Sequence, residues 1–335
     1  MAKFLVTGNL GYIGTHAVDE LVEAGHEVRG IDLDLYNGCD FKPLTLPQEQ
    51  LSKDVLDVTP DDLEGCDAVI HLAALSNDPL GELDRDWTYR VNYTGTLRVA
   101  EAARQAGVRS FVFASSCSLY GAAGDAAMTE ENEGNPVTVY GETKILAETA
   151  LLNMAGEDFS PVIMRNATAY GSSPRLRLDV VLNNLMAWAY ATGEIRVISD
   201  GTPWRPLVHC RDIARGAIMV AQAPRDLVHA QVYNFGRDEE NYQVRDLVDV
   251  VSETVAGCSV VYTGEGGPDS RDYRVSFEKF AGTFPAFQFL HDVRSGAQEL
   301  CEDYQRFPMT REVLEGTSFV RLRKVKSQLE KLVRA

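Results

Sequence analysis

Short apolar runs alternate with stretches of helical periodicity over the first half of the chain. The segments between the apolar runs predict helices at residues 12–23, 87–106 and 139–154. Strands that alternate with helices pair in parallel through right-handed crossovers. The pattern therefore predicts an α/β fold with a doubly wound parallel sheet. The apolar runs predict its strands at 4–7, 27–31, 68–72, 109–114 and 161–164.

The pattern loosens after residue 166, where loop signals rich in Gly, Pro and Ser separate shorter elements. We expect these elements to form a smaller α/β lobe that binds the substrate and is interleaved with the sheet domain. The predicted sheet domain covers 1–169 with a return near 206–236, and the predicted lobe covers 170–205 and 237–335.

Two further segments have distinctive patterns. Residues 121–136 are small, acidic and turn-rich, which predicts a mobile surface loop. The tail predicts a helix with one apolar face. We expect it to pack on its own lobe, although packing on a membrane or a partner helix would need the same pattern. The apolar positions of the tail are Phe319, Leu322, Val325, Leu329 and Leu332.

Composition narrows the class of protein. The 335 residues are 45% hydrophobic and 24% charged, which is typical of a globular chain of about two domains. A chain of this length needs no disulfide or metal to stabilise its core, and we predict no metal site. The net charge of −17 opposes binding to nucleic acid.

The cysteines and the apolar runs indicate a compartment. The six cysteines lack CxxC spacing, which is typical of free thiols in a reducing environment. No uninterrupted apolar run reaches the ~18 residues of a membrane-spanning helix. A strand follows the N-terminus without a signal-peptide pattern. We therefore expect a cytoplasmic protein with no membrane partner.

Gly8, Gly11 and Gly14 follow the first predicted strand directly and open the first predicted helix. Glycine allows a tight turn close to a diphosphate, which the N–H groups of the helix N-terminus then bind. The second strand ends at Asp32, whose carboxylate suits the ribose hydroxyls of NAD and repels the 2′-phosphate of NADP. A solvated carboxylate is the alternative for Asp32. We predict a Rossmann-type site for NAD, with Asp54 as a candidate for the adenine amino group.

Tyr140 and Lys144 are four positions apart at the start of a predicted helix, so their side chains share one face. An ammonium beside a phenol favours the phenolate and lowers the pKa of the phenol, which makes Tyr140 a candidate acid/base. Ser115 and Ser116 follow the preceding strand, whose carboxyl end faces the ligand crevice. A surface Tyr–Lys pair and a serine-rich turn are the alternatives.

Together these motifs resemble the extended short-chain dehydrogenase/reductase family, in its branch of NAD-dependent nucleotide-sugar epimerases and dehydratases. Residues 72–74 resemble the strand end that lines the cofactor, and Asn92 resembles the helix asparagine of the family. The resemblance covers nearly the whole chain. It implies NAD contacts from Gly8, Gly11, Tyr12, Ile13, Gly14, Asp32, Asp54, Val55, Leu72, Ala73, Ala74, Asn92, Ser115, Tyr140, Lys144 and Ala169.

The second half resembles the substrate lobe of the same family. Thr168 stands where many of these epimerases have an asparagine on the substrate diphosphate, and Asn184 matches the second asparagine of an Asn-Asn-Leu motif. Arg205 and Arg271 resemble phosphate-binding arginines, through which an acidic protein can bind a nucleotide diphosphate. The resemblance implies substrate contacts from Ser76, Ser116, Thr168, Asn184, Arg205 and Arg271.

The chain departs from the dehydratases of this family directly after Ser116. Those enzymes usually carry an Asp-Glu pair where this chain has Cys117 and Ser118. Related 3,5-epimerases have an acid/base cysteine one position later than Cys117. We therefore expect the Cys117 side chain to point to the opposite face of the strand.

Ser116, Tyr140, Lys144 and NAD suffice for reversible oxidation of a sugar hydroxyl. The resemblance implies a nucleotide-sugar 4-epimerase that acts through a 4-keto intermediate, with Tyr140 as the acid/base. A 4-keto-sugar reductase or a dehydratase of deoxysugar biosynthesis is the alternative, and a non-catalytic NAD sensor is a remote one.

The resemblance also implies a homodimer. In this family, the helix before the fifth strand and the Tyr–Lys helix usually pack against the same helices of a second copy. Both helices of this chain have apolar or small residues for such a contact. These residues are Leu97, Ala100, Ala103, Ile145, Leu146 and Thr149.

Overall fold

The structure is a computed structural model that describes residues 1–76, 78–263 and 272–334. The described strands are β1 (Lys3–Thr7), β2 (Glu27–Asp32), β3 (Glu49–Ser52), β4 (Ala68–His71), β5 (Ser110–Ser116), β6 (Ala122–Met128), β7 (Ser160–Asn166), β8 (Thr168–Tyr170), β9 (Glu194–Val197), β10 (Trp204–His209), β11 (Val232–Phe235), β12 (Asn241–Gln243), β13 (Ser259–Tyr262) and β14 (Asp272–Val275).

The described α-helices follow the same chain order. They are α1 (Gly14–Glu23), α2 (Asp78–Gly81), α3 (Arg85–Tyr89), α4 (Thr96–Gln105), α5 (Val139–Asn153), α6 (Val181–Thr192), α7 (Cys210–Gln222), α8 (Arg225–Val228), α9 (Val244–Thr254), α10 (Glu278–Thr283), α11 (Val293–Arg306), α12 (Arg311–Glu315) and α13 (Arg321–Arg334).

A seven-stranded parallel sheet forms the centre of the molecule, in the order β11-β7-β5-β4-β1-β2-β3. Apolar residues of α1 and α7 join one core cluster of this sheet, and apolar residues of α4 and α5 join another. Alternating strands and helices thus produce the doubly wound α/β fold that the pattern predicts. The predicted fold class is confirmed.

A smaller part of the molecule lies around β8, β10 and β12, which form a separate three-stranded sheet. Its core cluster comes from α6, α9 and α11, with Leu185, Leu247 and Leu300 among the buried side chains. Between β10 and β12 the chain returns to the central sheet as β11. The two parts are therefore interleaved along the chain.

The helix predicted at 87–106 is interrupted. It consists of α3, a π-helical segment at Arg90–Gly95, and α4. The extra residue in each π-helical turn changes which side chains face the sheet. This segment contains Asn92, which is buried.

One prediction about local structure is wrong and another holds only in part. The segment 121–136, predicted as a loop, contains β6, which pairs in parallel with β14. The tail forms a helix, α13, and Phe319 just before it packs in the core of the smaller part as expected, but Val325 and Leu322 pack with Leu75 and Leu80 beside the central sheet. Leu75 and Leu80 supply an apolar surface that the tail pattern alone could not identify. Within the described ranges, no helix is long and apolar enough to cross a membrane.

Candidate active site

A cavity of about 900 Å³ opens where the carboxyl ends of the parallel strands meet the smaller part of the molecule. Ligands of doubly wound sheets bind in this crevice. Its wall includes every predicted site residue except Asn92 and Arg271. Arg271 lies outside the described residues. Predicted residues from Gly8 to Arg205 along the chain thus meet at one surface.

The glycine turn after β1 has room for backbone only. Gly8 has a positive φ of 71°, and a Cβ at this position would lie 2.7 Å from the backbone nitrogen of Ala73. A Cβ at Gly14 would lie 2.0 Å from the carbonyl oxygen of Gly8. The turn leads directly into α1, which begins at Gly14 in the cavity wall. The first N–H groups of a helix have no partner within the helix and can bind a ligand there. This cradle fits the diphosphate of a dinucleotide.

Asp32 ends β2 in the cavity wall. Its carboxylate accepts hydrogen bonds from the backbone N–H groups of Asp34, at 2.7 Å, and Leu10, at 3.1 Å. Burial raises the pKa of this carboxyl, and the two N–H groups oppose that shift. Each oxygen keeps a lone pair for a ribose hydroxyl. Asp54 also lies in the wall, and its side chain accepts from the N–H of Leu56.

An arginine lies closer to Asp32 than the sequence indicates. Arg175 pairs with Asp34 at 2.7 Å and with Asp40 at 2.7 Å. Two carboxylates therefore neutralise this guanidinium, which a 2′-phosphate of NADP would otherwise attract. The preference for NAD that Asp32 predicts is consistent with this pairing.

Lys144 and Tyr140 lie one turn apart on α5, as their spacing predicts. The Lys144 ammonium donates to the carbonyl of Ala114 at 2.7 Å and lies 5.6 Å from the centre of the Tyr140 ring. Burial lowers the pKa of Lys144 to about 7, and Glu148 opposes that shift. The ammonium can thus lose its charge near neutral pH.

The predicted lowering of the Tyr140 pKa is wrong. Burial is the main cause that raises this pKa to about 12, and the nearby charge of Asp78 adds to it. The charge of Arg177 and a hydrogen bond with Ser116 act in the opposite direction. Burial disfavours the phenolate, because a charged oxygen loses hydration in the cavity wall. The phenol is therefore protonated at neutral pH, and its conjugate base is strong.

The two serines at the end of β5 lie in the cavity wall, whereas the following Cys117 does not. Ser116 lies in the cavity wall, and its hydroxyl is 2.9 Å from that of Ser118. The Cys117 side chain is fully buried, and its thiol donates to the carbonyl of Arg165 at 3.0 Å. Cys117 is not part of the wall, although β5 ends at Ser116 and Cys117 begins a 3₁₀-helical turn instead of continuing the strand. Burial also raises the pKa of its thiol.

Behind the wall, buried polar groups hold this strand end and α5 together. Glu148, one turn after Lys144, accepts from the hydroxyl of Ser115 and from the guanidinium of Arg165 at 2.8 Å. Asn92 bonds both backbone groups of Leu75 and the hydroxyl of Thr143. Asn92 therefore supports the wall from behind without forming part of it.

Four of the predicted substrate residues are in the cavity wall. They are Thr168, Asn184 and Arg205, together with Ser76 on the loop after β4. The Asn184 amide donates to the carbonyl of Leu178 at 2.8 Å. Its neighbour Asn183 is fully buried and bonds Gly171 instead.

The wall also contains polar residues that the sequence analysis did not assign to the site, among them Tyr36, Arg177, Asp179 and Arg321. Arg177 and Asp179 alternate with apolar residues before α6, and two charged side chains at this spacing lie on one side of an extended segment. That alternation was a usable signal. Nothing in the local sequence connects Arg321, at the start of α13, to this site.

Comparisons with known proteins agree with this geometry. Residues 4–236 match the model of the NAD dependent epimerase/dehydratase family. A UDP-glucose 4-epimerase of Bacillus subtilis (strain 168) is 30% identical over 332 residues, which cover 90% of this chain and 96% of that protein. A UDP-glucose 4-epimerase of Mus musculus is also 30% identical and covers 78% of this chain and 84% of its own length.

Solved structures give the same picture. MoeE5 in complex with UDP-glucuronic acid and NAD is similar to this chain with a TM-score of 0.78 and 29% identity, covering 91% of this chain and 99% of its own. TunA, an NAD dependent NDP-hexosamine 5,6-dehydratase, has a TM-score of 0.82 at 22% identity, over 92% of this chain and 99% of its own. The likeness to TunA shows a shared fold.

Proposed function

Because this chain belongs to the NAD-dependent epimerase/dehydratase family, we propose that it inverts the configuration at C4 of a nucleotide-linked sugar. The predicted membership is confirmed, and so is NAD as the cofactor. One observation carries the proposal: Ser116, Tyr140 and Lys144 lie in the same cavity wall as the glycine turn and Asp32. The acid/base residues and the dinucleotide cradle therefore face the same space.

The chain's own residues supply proton transfer and positioning. Bound NAD supplies reversible acceptance of a hydride from the sugar carbon. As a phenolate, Tyr140 removes the proton of the 4-hydroxyl, and as a phenol it returns that proton when the ketone is reduced. Its raised pKa suits this exchange, because only a strong base takes a proton from an alcohol. Ser116 holds the sugar oxygen beside Tyr140.

Lys144 has two tasks in this proposal. It donates to the carbonyl of Ala114 and thereby holds α5 against the end of β5. Its remaining N–H groups are available to the ribose next to the reacting ring of the cofactor. We assign NAD contacts to the predicted residues of the wall, Asn92 as a support behind it, and substrate contacts to Ser76, Thr168, Asn184 and Arg205.

The alternative of a dehydratase lacks a suitable acid after Ser116. Cys117 is buried away from the cavity, and Ser118 supplies only a hydroxyl. Elimination of water needs a group that protonates the leaving hydroxyl.

We also propose that the chain divides into a cofactor-binding domain (1–169 with 206–236) and a substrate lobe (170–205 with 237–335). In this division, both ligands bind at the boundary between the two parts.

The proposal includes a homodimer and a cytoplasmic location. Leu146 and Thr149 are exposed on α5 and support a contact with a second copy. Ala100 and Ala103 are buried within the protomer, so these two predicted interface positions do not contribute. All six cysteines are free thiols, in agreement with a reducing compartment. Light scattering at micromolar concentration tests the dimer, and a monomer would contradict it.

Turnover of UDP-sugars with NAD alone tests the reaction. A substrate deuterated at C4 is expected to keep its label in the epimerised product, because hydride leaves and returns within one site. Release of deuterium into water would contradict the proposal. Stoichiometric consumption of reduced cofactor would indicate a reductase, and NAD binding without turnover of any sugar would indicate a sensor.

A further inference from the structure

The C-terminal helix α13 contributes one buried charge to the cavity wall. Its first residue, Arg321, is 2% exposed. The guanidinium lies 3.8 Å from the centre of the Tyr36 ring, and its Nη2 donates to the carbonyl of Arg175 at 3.0 Å. Its Nη1 is buried and has no hydrogen-bond partner among the described residues. Buried donors in native proteins nearly always have a partner.

A second buried guanidinium lies close to the first. Arg177 is 8% exposed, pairs with Asp179 at 2.9 Å and donates to the hydroxyl of Ser76 at 3.3 Å. It lies 6.0 Å from the centre of the Tyr12 ring, within the glycine turn. The backbone N–H of Arg321 donates to the carboxylate of Asp179 at 3.4 Å. We call Arg177 and Arg321 the arginine pair.

The arginine pair has more positive charge than its surroundings balance. Asp179 is ion-paired with the Arg177 guanidinium and its charge also acts on Arg321, while the neighbouring Arg175 is already paired with Asp34 and Asp40. Burial and the charge of Arg177 lower the pKa of Arg321 to about 10, so it stays protonated at neutral pH. Two buried cations beside one carboxylate are costly unless an anion completes the group.

The position of the pair identifies the anion. Tyr36, under Arg321, follows Asp32 by four residues, and Tyr12, near Arg177, lies in the turn that fits a diphosphate. We propose that the arginine pair binds the diphosphate of NAD, and that Arg321 thereby makes α13 part of the cofactor site. This proposal rests on the proposed function, because it takes NAD as the ligand of the glycine turn.

The contacts of α13 explain how a terminal helix can hold an arginine in this place. Gln328 donates to the carbonyl of Leu35 at 2.8 Å, and Lys324 donates to the carbonyl of Asn37 at 2.8 Å. Val325 packs in the cluster with Leu75. The helix is thus tied to the segment that follows Asp32, at the adenosine side of the turn. Retention of cofactor suits an enzyme that regenerates NAD at every turnover.

Calorimetry on the full-length protein tests this assignment with three ligands. Arg321→Met is expected to weaken binding of ADP-ribose by about 10–100-fold, the range of a charge-assisted hydrogen bond. Adenosine lacks the diphosphate, and its binding is expected to be unchanged. The binding of UDP is also expected to be unchanged. Arg321→Lys keeps the charge and is expected to recover part of the affinity. Arg323→Met, an exposed arginine on the same helix, serves as the matched control.

Each other outcome has a definite meaning. Unchanged ADP-ribose binding by Arg321→Met would overturn the proposal, as would an equal loss for adenosine. A loss confined to UDP would assign Arg321 to the substrate instead. If Arg321→Met does not fold, the test uses Arg321→Lys and the salt dependence of binding to the wild type. Added salt must then weaken the binding of ADP-ribose more than the binding of adenosine. Failure of the wild type to bind ADP-ribose would contradict the proposed function itself.

Discussion

Burial makes the proton of Tyr140 harder to lose and that of Lys144 easier to lose. The arginine pair on the same cavity wall, by contrast, keeps its charge at neutral pH. Burial raises the pKa of Tyr140 to about 12 and lowers that of Lys144 to about 7. Both shifts favour the neutral forms. The pKa of Arg321 is also lowered, but only to about 10. The same loss of hydration thus leaves the Tyr–Lys pair able to change protonation, whereas the arginine pair stays charged at neutral pH.

This difference follows from the chemistry of the groups. Proton transfer requires a residue that exists in two protonation states during one reaction cycle. Binding of a diphosphate requires a charge that does not change. The two groups are not independent, because Arg177 lowers the pKa of Tyr140. A comparison of rate and binding effects can show how far they are separable.

The largest expected effect separates rate from binding. Tyr140→Phe keeps the ring and removes the oxygen to which the proposed function assigns the proton exchange, so turnover is expected to fall by about 10²–10⁴-fold. The affinity for NAD, measured by calorimetry, is expected to stay close to that of the wild type. Tyr262→Phe, an exposed tyrosine, is the control. A variant that loses affinity as strongly as turnover would break the comparison.

The pH dependence is expected to differ between the two groups. With the pKa of Tyr140 at about 12, its phenolate fraction increases with pH, so kcat/KM is expected to rise from about pH 6 to about pH 9. The rise is expected to flatten above about pH 7, where Lys144 loses its charge. The affinity for ADP-ribose, which depends on the arginine pair, is expected to be constant over this range. A rate that falls with pH would contradict the assignment of Tyr140 as the base.

The smallest expected effect concerns the choice between NAD and NADP. Asp32→Ala removes the carboxylate that suits the ribose hydroxyls, and the preference for NAD over NADP is expected to shrink by about tenfold. Calorimetry with both cofactors measures this ratio. Asp57→Ala, an exposed carboxylate nearby, is expected to leave it unchanged. If Asp32→Ala keeps the preference for NAD over NADP, Asp32 does not cause it, and Arg175 with its two acidic partners becomes the expected cause.

Local sequence predicts the features that depend on neighbouring residues. The glycine turn, the end of β2 at Asp32 and the shared face of Tyr140 and Lys144 each follow from a spacing of a few positions. Cys117 also points away from the cavity, although β5 ends at Ser116 and Cys117 begins a 3₁₀-helical turn, so the strand alternation used to predict its orientation does not extend to it. Alternation of strands and helices is also local, and it determines the doubly wound sheet.

Features that depend on distant residues could not be predicted in this way. The spacing of Tyr140 and Lys144 predicts a lowered phenol pKa, but Asp78 and the surrounding wall reverse its direction. The apolar pattern of the tail predicts a helix without identifying its partner, which is Leu75 with Leu80.

The sequence by itself determined the fold class, the cofactor cradle and the Tyr–Lys pair, because each is encoded in residues that are close along the chain. Only the tertiary structure decided the protonation of that pair and the composition of the arginine pair. Arg177 and Arg321 belong to segments that are joined through Asp179 and the packing of α13, and both burial and charge pairing depend on such distant contacts. Electrostatics inside a protein is a property of the folded environment, whereas helix and strand periodicity is a property of the chain.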